Sequence, residues 1–170
     1  FGSLGGVGRQ GIATGANFRH VRVWWEPSEG EPLWKPFANG GRLSPFYSDL
    51  EQTVGYDDAH QAGIRQNGRY GRGASSSGQP GLTWAVRSSR FAPAALREGC
   101  IVSTLGLWAV VSDQMMCLEV LKSKPLDGMF RVHLGRFEFP EFLAGVVPRL
   151  PAPTISNEHA TQLRVLARRG

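Results

Sequence analysis

The chain has 170 residues, 41% of them hydrophobic and 19% charged, with 22 glycines and 11 prolines. That is the size of one ordinary domain with enough apolar residues for a core, which excludes a chain disordered throughout. The net charge of +5 is compatible with a polyanionic partner, and no apolar run approaches the roughly 18 residues a membrane span needs.

Residues 1–17 are rich in Gly and small polar residues and read as a loop. Phe18 to Glu26 follows: Val21, Val23 and Trp25 alternate with His20, Arg22 and Trp24, a period of two that predicts a strand. Pro27 to Pro36 reads as a turn or hairpin region, and Asn39-Gly40-Gly41 as another turn. The stretch 55–81 is rich in Gly and Ser, carries Arg65, Arg69, Tyr70 and Arg72, and has no acidic residue after Asp58. It reads as a mobile basic loop over 57–80, with or without a partner.

Leu82 to Val86 and Cys100 to Leu105 read as strands. Ser112 is suited to cap a helix over 113–122, with Met115, Leu118, Val120 and Leu121 on its apolar face. Pro125 can open a second helix that Gly135 ends. Phe139 to Leu150 is apolar but interrupted by Pro140 and Pro148, so it reads as a buried irregular segment or short strand. Ser156 caps a final helix, with Glu158 near its positive end and Arg168-Arg169 near its negative end. The predicted fold class is α+β: mixed, mostly antiparallel strands in the first two thirds, and helices packed after about residue 112.

Chemistry-bearing motifs are few. Cys100 and Cys117 lie among apolar neighbours and read as reduced, buried thiols, although the sequence alone leaves a disulfide open. Gly6, Gly8 and Gly11 have the spacing of a dinucleotide fingerprint, but no helix of sufficient length is expected after them. Ser44-Pro45-Phe46-Tyr47 approaches the tetrapeptide with which amino-methyltransferases hold a target amine, but Phe46 stands where a second Pro is needed, so it reads as a structural turn. His20, His60, His133 and His159 lack zinc-site spacing and read as surface or satisfied core residues. Trp24, Trp25, Trp34, Trp84 and Trp108 read mostly as core. No catalytic residue, bound cofactor or metal is expected in this chain.

Several segments, in order, resemble one known region. They are Gln10-Gly-Ile-Ala-Thr-Gly-Ala-Asn-Phe18 with Arg22 and Trp24-Trp25-Glu26; Trp34-Lys-Pro-Phe-Ala-Asn-Gly-Gly41 with Ser44 to Asp49; and Pro80-Gly-Leu-Thr-Trp84 with Glu98-Gly-Cys-Ile-Val102. Leu121-Lys-Ser-Lys-Pro125 with Gly135-Arg-Phe137 follows, then Phe142-Leu-Ala-Gly145 with Leu150-Pro-Ala-Pro153. Together they resemble the C-terminal target-recognition region of adenine-specific DNA methyltransferases: the fused Type II restriction–modification enzymes and those of BREX, Pgl and DISARM phage-defence systems. Ser103-Thr-Leu-Gly-Leu-Trp108 and the Gly- and Ser-rich 59–80 depart from the family pattern.

The resemblance implies a division of labour. A methyltransferase domain outside this chain would bind S-adenosylmethionine and methylate adenine, while this chain would choose which adenine in double-stranded DNA is flipped. Residues 1–17 would lead in from that domain, 18–153 would form the recognition domain, and 154–170 would lead onward; the start at Phe1 fits a chain cut from something longer. Arg22, Arg42, Arg65, Arg69, Tyr70, Arg72, Arg87, Arg90 and Arg136 are the candidate DNA contacts, with Arg87 and Arg90 preferred because they follow the Gly-Leu-Thr-Trp strand. Arg19, Lys122, Lys124, Arg168 and Arg169 read equally well as solvated charges. The expected location is cytoplasmic, with no membrane partner. The alternative is an interaction module for other defence-system subunits, using Trp24, Trp25 and the apolar 137–147 segment.

Overall fold

A computed structural model describes residues 7–28, 30–40, 50–71, 73–74, 77–135, 140–151 and 153–168. In chain order the strands and helices are β1 (Val7–Arg9), β2 (Ile12–Ala13), α1 (Asn17–His20), β3 (Val21–Val23), β4 (Trp34–Ala38), β5 (Gln52–Gly55), α2 (Asp58–Asn67) and β6 (Arg69–Tyr70). They continue as β7 (Gly81–Ala85), β8 (Ala94–Leu96), β9 (Ile101–Val102), β10 (Gly106–Val110), α3 (Gln114–Lys122), α4 (Lys124–Leu134) and α5 (Asn157–Ala167). Among the described residues one sheet runs β1-β10-β7-β8, all antiparallel, and a second runs β3-β5-β4-β9, with only the β4–β9 pair parallel. β2 and β6 form a separate two-stranded ribbon. The fold is α+β.

β7 and β10 are buried on both faces, and the alternation of their side chains builds the larger core on one of them. Leu82 and Trp84 of β7, with Leu107 and Ala109 of β10, pack against Cys117, Leu118 and Leu121 of α3 and Phe130 of α4. Phe142, Val147 and Leu150 of the irregular segment close the same core. At its centre Phe91 lies 4.7 Å from Phe130 and 5.2 Å from Phe142, ring centre to ring centre, and Trp84 donates its indole N–H to the Phe142 carbonyl at 2.8 Å. Each such ring pair contributes about 0.5–1.5 kcal/mol beyond area burial. Trp108 points to the opposite face, into a cluster with Ala38, Leu96, Cys100 and Val102 that joins the two sheets. A third cluster, Ile12, Phe37, Val54, Ile64 and Ile101, sits beneath α2. Both cysteines are buried and unpaired, and burial pushes the Cys117 thiol up to about 11.

The C-terminal helices follow their local signals. Pro125 lies in the first turn of α4, Gly135 ends that helix in the left-handed region (φ 61°), and Ser156 caps α5 by accepting from the His159 N–H. α3 is capped one residue later than the sequence reading, by Asp113, which accepts from the Met116 N–H at 3.1 Å. Its buried face carries Met116 and Cys117 with Leu118, Val120 and Leu121, while Met115 is half-buried. Residues 140–150 form an irregular segment as expected, buried at Pro140, Phe142, Val147 and Leu150 but exposed at Leu143, Gly145 and Arg149, with one short 3-10 turn at Val147–Arg149.

The first half departs more. Residues 7–9 and 12–13 are strands, because β10 and β6 supply hydrogen-bonding partners that these short runs cannot signal by themselves. Glycine there marks close approach: a Cβ at Gly11 would stand 1.7 Å from the Val102 carbonyl oxygen. The single strand expected over 18–26 is instead α1, then β3, then a turn closed by the Glu26 N–H on the Val23 carbonyl at 3.0 Å. β4 begins inside the expected turn region; Pro36 is tolerated because β9 pairs only with Phe37 and Ala38. Cys100–Leu105 shortens to β9, and the Ser103 hydroxyl then accepts from the Leu105 and Gly106 N–H groups, turning the chain into β10.

The largest correction is at 57–80. There the mobile basic loop is replaced by α2 and β6, so helices are not confined to the region after residue 112. Asp57 caps α2 by accepting from the His60 N–H at 2.9 Å. Gly63, which argues against a helix by propensity, sits where a Cβ would come within 3.0 Å of the His20 ring. The expected turn at 44–47 lies outside the described residues. No helix among the described residues is long and apolar enough to cross a membrane.

Candidate nucleic-acid interface

Between residues 59 and 97 every Lys, Arg, Asp or Glu is an arginine: Arg65, Arg69, Arg72, Arg87, Arg90 and Arg97. The chain has 19 Lys and Arg against 14 Asp and Glu; removing these six leaves 13 against 14. The positive excess therefore resides in this one stretch. Arg65, Arg69, Arg87, Arg90 and Arg97 are all exposed. Arg42, Arg72 and Arg136 lie outside the described residues.

The exposed arginines stand on two supports. On the α2–β6 unit, the Arg65 guanidinium lies 5.1 Å from the Tyr70 ring centre, and Arg69 follows one turn later without a hydrogen bond or ion pair among the described residues. Tyr70 itself is half-buried. Its hydroxyl is enclosed next to Tyr56, and burial raises its ionisation above the ordinary phenol range, partly offset by Arg65. Its ring supports Arg65 from within.

The second support is the segment after β7. Arg87 holds Glu141 with Nε at 2.8 Å and Nη2 at 2.5 Å, and its side chain is 76% exposed. An exposed pair of this kind is worth about 0–1 kcal/mol, little enough to exchange for a phosphate. Arg90 has no ion pair among the described residues. The segment that carries both is held from α4: the Phe91 N–H donates to Asp127 Oδ1 at 3.1 Å, and Arg131 donates to the Ser89 carbonyl at 2.6 Å. Asp127 also accepts from Arg131 at 3.0 Å, so one carboxylate fixes both the loop and its clamp.

Arg22 has a different role. Its Nη1 donates to the Phe18 and Val21 carbonyls at 2.9 and 2.8 Å, and its guanidinium lies 5.4 Å from the Trp34 ring centre. Glu26 accepts from the Val23 N–H at 2.7 Å on the same strand. β3 is an edge strand, and these two side chains occupy backbone groups that another strand would use. Arg22 is thus committed to the fold.

Two features depart from the leading sequence reading, although its alternative named Trp24 and Trp25 as an interaction surface. Trp84 and Trp108 are core, but Trp24 and Trp25 are 63% and 65% exposed and Phe18 is 75% exposed. The Val23–Glu26 turn carries the two tryptophans past the end of the sheet. The other feature is a histidine pair. His20 is buried 5.5 Å from His60, whose Nδ1 meets Asp57 Oδ1 at 2.6 Å. Burial, then the neighbouring His60 and Arg19, lower the His20 pKa, and its Nδ1 has no partner among the described residues. The signal for this unit was present in Asp57 as a cap followed by Ile64 as the buried anchor of α2. Among the described residues no group of three His, Cys, Asp or Glu side chains is placed to hold a metal ion. No protein-family model matches the chain, and no curated protein matches it in sequence.

Proposed function

We propose that the chain is a double-stranded DNA recognition module, serving an adenine-N6 DNA methyltransferase of a restriction–modification or phage-defence system. The observation that carries this reading is the stretch 59–97, where arginine is the only charged residue type, whose described arginines are all exposed, four of them on the two hydrogen-bonded supports. Phosphates supply register and affinity, and side chains at base edges supply sequence preference. The motif resemblance adds the context: S-adenosylmethionine and methyl transfer belong to a partner domain, and the setting is cytoplasmic. Fluorescence anisotropy with labelled duplexes tests the reading. Binding at low salt that weakens as salt rises supports it; absence of binding to any duplex at low salt overturns it.

A second reading draws on the exposed Phe18, Trp24 and Trp25. Trp24 and Trp25 at the turn, with Phe18 on α1, are large exposed aromatics suited to anchor a protein partner, either the methyltransferase domain or another defence-system subunit. A Trp24→Ala/Trp25→Ala variant that keeps its DNA affinity but loses a partner the parent chain retains would favour this role.

A further inference from the structure

We infer that α2 is the base-reading helix of this module, entering the DNA major groove with its C-terminal half and reading bases through Arg65, Gln66 and Arg69. The inference rests on the DNA-binding reading above. Its exposed side holds Asp58, Ala59, Ala62, Arg65, Gln66 and Asn67, continued by Arg69, with no apolar residue larger than alanine. Such a face gains nothing from an apolar partner. Arginine and glutamine are the side chains whose paired hydrogen-bonding groups match guanine and adenine edges in the major groove, and the small alanines let a duplex approach closely.

Charge fixes which half enters. Asp57 and Asp58 sit at the start of α2, where carboxylates suit the helix dipole but repel phosphate; Arg65 and Arg69 are the formal charges at its other end. The wiring leaves Gln66 and Arg69 free, while Arg65 makes one long, exposed bond to Gln61 Oε1 at 3.4 Å. Asn67 is occupied by the Gly63 carbonyl at 3.2 Å, whereas Gln66 and Arg69 make no hydrogen bond among the described residues. Arg65 is pre-oriented by the Tyr70 ring.

The helix is also rigidly mounted, which base readout requires. Its C-terminal end abuts the Thr14-Gly15-Ala16-Asn17 segment: a Cβ at Gly15 would stand 2.1 Å from the Asn67 carbonyl oxygen. β6 then pairs with β2, Tyr70 opposite Ile12 and Arg69 opposite Ala13.

The experiment is binding-site selection from a duplex pool with a randomised centre, run on the whole chain and on Arg65→Ala, Gln66→Ala and Arg69→Ala. All three positions are exposed, so the fold should persist. The parent chain should enrich a motif containing guanine. Arg65→Ala and Arg69→Ala should each relax one guanine position by about 10- to 100-fold, and Gln66→Ala should relax an adenine position. Duplex RNA of the selected sequence should compete poorly, because its major groove is too deep and narrow to read. No enrichment by the parent chain, variants that lose affinity uniformly with an unchanged motif, or equal competition by duplex RNA would each overturn the inference. In those cases salt-dependent duplex binding still supports the module's DNA role; no binding at all removes both.

Discussion

Asp127→Ala separates an architectural carboxylate from a simple surface charge. Asp127 accepts from the Phe91 N–H at 3.1 Å and from Arg131 at 3.0 Å, and Arg131 in turn reaches the Ser89 carbonyl. Hydrogen bonds to charged groups are worth about 1.5–3 kcal/mol, and a half-exposed ion pair one helical turn apart adds about 0.5. The substitution should therefore cost about 2–3 kcal/mol in urea denaturation, with an unchanged m-value. Asp127→Asn keeps an oxygen for the Phe91 N–H and should cost about half as much. The DNA assay has the opposite sign from bulk electrostatics. Removing an acid makes the chain more basic, which alone predicts tighter binding. Release of the segment carrying Arg87 and Arg90 instead predicts affinity about 3- to 10-fold weaker, through the entropy of re-ordering the loop. A cost below about 0.5 kcal/mol, or tighter DNA binding, would refute the argument.

Three further outcomes follow from single contacts. Asp113 caps α3 and meets Arg164 of α5 at 2.7 Å. Burial raises its pKa, but the Met116 N–H and Arg164 outweigh this and hold it below the usual value. Its stabilisation is present above the unfolded carboxylate pKa of 3.8 and is lost as pH falls through the folded value. Asp113→Ala should cost about 1–2 kcal/mol at pH 7 and flatten the acid limb of a stability profile; an unchanged limb would count against it. His20 has its pKa lowered, so its contribution is full above the unfolded value of 6.5 and is lost as pH drops below it. A His20→Phe variant should lose this step below about pH 6.5, and persistence of the step would assign it to another group. Gly11→Ala drives a methyl into the Val102 carbonyl and should cost more than about 2 kcal/mol by urea denaturation; wild-type stability would show that β2 can shift.

Legibility in the sequence tracked how local the determinants are. α4 and α5 announced themselves through Pro125, Gly135 and Ser156, each acting within one turn of its own helix. β7 showed in Gly81–Ala85 because Leu82, Thr83 and Trp84 form a short run of buried, strand-compatible residues after the Pro80-Gly81 break. α2 was hidden because the residue that weakens its propensity, Gly63, is required by His20, more than forty positions away in the chain. β1 and β2 were hidden because their pairing partners come from β10 and β6. For the interface, residue type was legible but role was not. Arg22 and Arg65 look alike in sequence, yet one closes a sheet edge and the other stands exposed on a ring.

The most direct test of the DNA-recognition account is the salt dependence of duplex binding by the parent chain and by a variant with Arg65, Arg69, Arg87, Arg90 and Arg97 all changed to alanine. If Arg87, Arg90 and Arg97 each displace one counterion at a phosphate while Arg65 and Arg69 face base edges, the log–log slope is about −2.7, and parent affinity falls about 40-fold between 50 and 200 mM salt. The account predicts that slope for the parent and near-complete loss of both affinity and slope for the variant. Equal affinity and equal slope for the two proteins would contradict it.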